Sequence, residues 1–105
     1  MVIGPGGSKS NVPLLIDSGA DVSVVPRTAA VAVGARLDRS SAPIQFLVGP
    51  DVTLEQAELA VEFDRYRFRG AFLVVDSGHG IVGRNILNAL LLRLDGPRLE
   101  WSIGE

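Results

Sequence analysis

The chain has no cysteine among its 105 residues, which excludes disulfides and thiolate-bound metals and leaves the redox compartment unmarked. It also lacks an excess of either charge. Ten Lys and Arg against twelve Asp and Glu leave a net charge of −2, so no electrostatic argument calls for nucleic acid as a partner. No apolar run approaches the roughly 20 residues that cross a bilayer, and no membrane partner is expected. Met1–Lys9 carries no apolar signal core, so secretion is not indicated and a cytoplasmic location is the default expectation. The one histidine, His79, stands apart from any His, Cys or acid cluster at ligand spacing. Neither a metal nor a cofactor is therefore expected.

What is present is apolar: 47% of the residues, ordinary for a folded chain and too many for a disordered one. The length suits a single domain over residues 1–105, which would bury about 60–65% of its unfolded surface. The stretch that organises the rest is Leu14–Pro26. An apolar run, Leu14-Leu15-Ile16, delivers Asp17 into the small-residue turn Ser18-Gly19-Ala20, and a β-rich run, Val22–Val25, leaves it. That pattern is strand, tight loop, strand. An acid at the end of a buried strand costs free energy in its charged form unless hydroxyls, amides or a second acid support it.

A second stretch lies near the other end: Gly80-Ile81-Val82-Gly83-Arg84-Asn85-Ile86-Leu87. In their order and spacing the two stretches resemble the paired motifs of the retropepsin-like aspartic proteases. The first of these is an apolar pair followed by Asp-Thr/Ser-Gly-Ala; the second is an apolar pair followed by Gly-Arg/x-Asn/Asp-x-Leu. The chain is also about the length of one retropepsin subunit. The resemblance implies an all-β acid protease fold, one lobe per chain with a flap hairpin and one C-terminal helix, assembled as a twofold homodimer. It implies an aspartic endopeptidase acting on a peptide or protein substrate, with Asp17 of each subunit forming the catalytic pair, Ser18 bonding across the axis and Gly19 amides supporting the carboxylates. By the same resemblance Ala20, Asp21, Val22, Val48, Gly49, Ile81 and Val82 would contact substrate, with Val25 also lining a subsite. Arg84 would pair with Asp21 and tie the active-site loop to the helix. A catalytically silent dimerisation or peptide-binding domain is the alternative reading.

Asp76, in a second Asp-Ser-Gly, is the internal rival for the second acid, but it is followed by His79 where the motif has Ala. Arg65-Tyr66-Arg67-Phe68-Arg69 reads as a strand with its aromatics inward and its arginines in water, in preference to a nucleic-acid surface.

The remaining expectations follow the chain. Val2-Ile3 and Val12–Ile16 read as strands joined by a mobile loop over Gly4–Asn11. Pro26 is expected at the first position of a short helix over Arg27–Val33 that Gly34 stops. Leu37–Pro43 reads as a polar connector and Ile44–Val48 as a strand that turns at Gly49-Pro50-Asp51. Locally, Thr53–Ala60 fits a helix capping box and a period-two strand equally well, and the implied flap favours the strand. Ala71–Val75 and Ile81-Val82 read as strands, and Arg84–Leu92 as a helix with Ile86, Leu87, Leu90 and Leu91 on one face. Asp95-Gly96-Pro97 ends it, and Arg98–Ile103 is a final strand. Leu90–Leu94 with Arg98–Ile103 could form an interface hairpin.

Overall fold

The computed structural model describes residues 1–40 and 54–104, and over them the chain is mostly β. The expected strand Ile44–Val48, the turn Gly49-Pro50-Asp51 and the site residues Val48 and Gly49 lie outside the described residues. Strand β1 (Val2–Ile3) turns at once into β2 (Lys9–Ser10), which pairs back on it with Val2 opposite Ser10. Gly4–Asn11 is thus a tight hairpin and not a loose loop: the Gly4 N–H donates to Ser8 O at 2.8 Å. β3 (Leu14–Ile16) follows, then the Asp17 loop, then β4 (Val24–Pro26). Pro26 ends this strand and caps helix α1 (Arg27–Ala32) from outside, at φ −64° and ψ 139°, an extended conformation that its ring permits. Gly34 stops the helix as expected, with φ +74°.

Leu37–Ser40, expected as a connector, is strand β5. It pairs antiparallel with β6 (Leu54–Phe63), Leu37 opposite Ala57, and Asp38 on it is exposed. β6 is a strand throughout, which resolves the local ambiguity between helix and strand in favour of the strand. A two-residue turn, with Asp64 at φ 54°, joins it to β7 (Tyr66–Val75). Tyr66 and Phe68 on β7 are half-buried while Arg65, Arg67 and Arg69 are exposed, the outcome expected of a one-faced strand. β8 (Gly80–Val82) leads into α2 (Arg84–Leu87). The helix expected over Arg84–Leu92 is a single turn, because Leu91 already belongs to β9 (Leu91–Asp95), which pairs with β10 (Glu100–Gly104).

Eight strands form one sheet in the order β2-β1-β6-β7-β4-β8-β3, with β5 also on β6; β9 and β10 form a separate ribbon. The core lies between alternate residues of β6 (Ala57, Leu59, Val61), those of β7 (Phe72, Val74), and Ala29, Ala30 and Val33 of the α1 segment, closed by Val25, Val82 and Ile86.

Candidate active site

β8 is the strand that positions the site. It lies between β3, which runs parallel with Ile16 opposite Val82, and β4, which runs antiparallel with Val24 opposite Ile81. The chain therefore leaves β3, loops outward through residues 17–23, and returns on the far side of β8. This wraps the loop around the residues that follow β8. The Asp17 N–H donates to Val82 O at 3.0 Å, and the Arg84 N–H donates to Ala20 O at 2.8 Å. The Ser23 hydroxyl accepts from the Gly83 N–H at 2.9 Å and donates to Asn85 Oδ1 at 2.7 Å. The Arg84 guanidinium forms an ion pair with Asp21. Gly83 permits this closeness because it has no Cβ to strike the carbonyls of Val22 and Ala20.

Within the loop, Asp17 is half-buried and its Oδ1 accepts the Gly19 N–H at 2.9 Å. Ser18, Gly19 and Asp21 are exposed, and Ala20, Val22 and Ile81 are half-buried. Asp17, Ser18, Gly19, Ala20, Asp21, Val22, Ile81 and Arg84 thus gather around one end of β8. Val25 and Val82, expected to line subsites, are instead packed into the core, since their positions on β4 and β8 face inward. Asp76 is engaged elsewhere: its Oδ1 accepts from Arg27 Nε at 2.7 Å, and the same guanidinium pairs with Glu55 on β6. His79 lies in the exposed loop, its Nδ1 3.3 Å from the Ser77 hydroxyl.

Sequence reasoning missed Ser23 and its partner Asn85. The signal available was a hydroxyl inside a β-branched run, next to a motif whose Asn had been given no task. It also missed the Arg27 fork, which joins residues 28 and 49 positions away. Among the described residues, no helix is long and apolar enough to cross a membrane. In comparisons with known proteins, no family model matches the chain, and no curated protein and no solved structure matches it either.

Proposed function

We propose that two copies of this chain form one aspartic endopeptidase of retropepsin-like fold, with the two Asp17 carboxyls meeting at a twofold axis. The observation that carries this reading is the setting of Asp17: a half-buried acid at the end of the short strand β3, on a loop tied to Gly83–Asn85, with Asp21 paired to Arg84 as the resemblance implies. One carboxyl cannot both take a proton from water and give one to a carbonyl oxygen. Two close together can, because like charges resist double ionisation and the pair keeps one shared proton; the aspartic proteases are the standing example. The charged carboxyl takes a proton from water as the water oxygen bonds to the scissile carbonyl carbon, and the protonated one donates to the carbonyl oxygen. The resulting diol collapses, the C–N bond breaks, and a proton passes to the leaving amine. The chain supplies one such acid, and an isologous contact sets it against its own copy. Ala20, Asp21, Val22 and Ile81 border the site on each copy, and Val22 and Ile81 favour apolar or aromatic side chains around the cut.

The test is cleavage of a mixed peptide library between about pH 4 and pH 7, over a series of protein concentrations, with Asp17→Asn beside the parent. The parent cuts, the variant does not, and the rate falls faster than linearly on dilution. Cleavage that survives Asp17→Asn overturns the reading. A folded dimer that binds peptides without cutting them replaces it with the silent binding domain.

A further inference from the structure

We infer that Ser23 is a positioning residue for Asp17, acting through the peptide group between Val82 and Gly83. This rests on the protease reading above. Among the described residues Ser23 carries the one buried polar side chain, 3% exposed. A hydroxyl has one hydrogen to give, and Ser23 gives it to Asn85 Oδ1 at 2.7 Å. That fixes the rotor and turns a lone pair toward the Gly83 N–H, 2.9 Å away.

The Gly83 N–H and the Val82 carbonyl belong to the same rigid peptide plane. The other end of that plane, Val82 O, accepts the Asp17 N–H at 3.0 Å. The plane is therefore held at both ends by the loop it supports: by Asp17, the first residue of the loop, and by Ser23, the last. Its tilt sets where Val82 O sits, and so where the Asp17 backbone hangs. Without the Ser23 oxygen the plane is free to rock about its one remaining bond. The Asp17 carboxylate, held locally among the described residues by the Gly19 N–H, moves with it. Asn85 then has the task of aiming Ser23, one step further from the acid.

The experiment compares Ser23→Ala, Ser23→Thr and Asn85→Ala with the parent, reading kcat and KM on a cleaved peptide and following the Asp17 carboxyl titration by carbon-detected NMR. Ser23→Ala is expected to lower kcat about 10- to 100-fold, the scale of a sub-ångström to one-ångström misplacement, with KM changed less than about twofold. Its Asp17 titration shifts. Ser23→Thr keeps the hydroxyl and restores most of kcat and the parent titration, while Asn85→Ala falls between. A Ser23→Ala protein that melts earlier yet keeps the parent kcat and an unshifted Asp17 titration overturns the proposal, because the hydroxyl then only stabilises. Where Ser23→Ala does not fold, Ser23→Cys, with its weaker acceptor, is read in its place. A parent that cleaves nothing overturns the protease reading alone. The titration still decides the positioning role, a shift supporting it and no shift overturning it.

Discussion

A Cβ placed on Gly83 would lie 2.5 Å from the carbonyl oxygen of Val22 and 2.9 Å from that of Ala20. Both neighbours are backbone, so no rotamer change relieves the overlap, and the loop must move or the protein loses stability. Gly83→Ala is expected to cost about 1–3 kcal/mol, the usual range for overpacking. Gly78, with nothing within 4 Å of the same position, is the control, and Gly78→Ala should stay within about 0.5 kcal/mol of the parent. Urea midpoints followed by circular dichroism check both, and equal midpoints would show that the loop does not pack on Gly83. At this scale the sequence was legible wherever a residue type has a narrow use. Asp17, Asp21 and Arg84 were all singled out, and the structure brings them together around Gly83, which stood in the second motif without a role of its own. Ser23 was not, because a serine between valines is compatible with any strand. What distinguishes it is a partner 60 or more positions away.

In the β6–β7 hairpin Glu62 stands directly opposite Arg67, whose Nε and Nη2 both donate to Glu62 Oε2, at 2.9 and 2.7 Å. These bonds, more than any other contact, hold the Glu62 carboxyl below its ordinary value of 4.5, against a smaller opposing effect of desolvation. A carboxyl whose folded pKa is depressed stabilises the protein above its unfolded pKa and loses that contribution as pH falls through the folded value. Thermal melts from about pH 3 to about pH 7 should therefore show Glu62→Gln melting below the parent near neutrality, with the gap closing in acid. A gap that does not change with pH would remove the ion pair from the account. In that hairpin β7 was readable from its alternating aromatics, whereas β6 fitted helix and strand equally well by local pattern, and only the implied flap favoured the strand. The C-terminal segment was readable in part: the strand over Arg98–Ile103 and its hairpin with Leu90–Leu94 are present as β10 and β9. Ile86, Leu87, Leu90 and Leu91, however, have the spacing of a helical face, yet Leu91 is exposed and starts a strand. Leu92 and Leu94 are also apolar at period two, and what selects that pattern is pairing with Ile103 and Trp101 across a turn. A local window does not contain that partner. β5 was missed for the same reason, since its strand character comes from β6.

At the scale of the whole molecule, the β9–β10 ribbon is the part that one chain does not account for. A two-stranded ribbon is marginal by itself, and this one is joined to no other strand among the described residues. Trp101 meets Phe63 edge to face at 6.1 Å, but it remains 46% exposed, and Leu94 beside it 71%. Within the proposed dimer the ribbon offers two free edges, and charge chooses between them. Antiparallel pairing of β9 with its own copy over its full length sets Arg93 against Arg93, and like charges directly opposite are unfavourable. The same pairing through β10 sets Ser102 on the axis, Trp101 against Ile103 and Glu100 against Gly104. No charge then faces its equal, and the apolar residues of both copies share one face. Ser102→Cys is accordingly expected to form disulfide-linked dimers under mild oxidation, since residues opposite each other in an antiparallel pair have Cα atoms about 4.5–5.5 Å apart, within disulfide reach. Arg93→Cys is not. With no native cysteine, every linked band reports the introduced residue. Cross-linking through Arg93→Cys in place of Ser102→Cys would move the axis to β9, and failure of both in a protein that sediments as a monomer would remove the dimer and the shared acid pair with it. If Ser102→Cys does link, the linked protein should keep its cleavage rate per molecule on dilution while the reduced protein loses it, joining the ribbon contact to the proposed pair of Asp17 carboxyls.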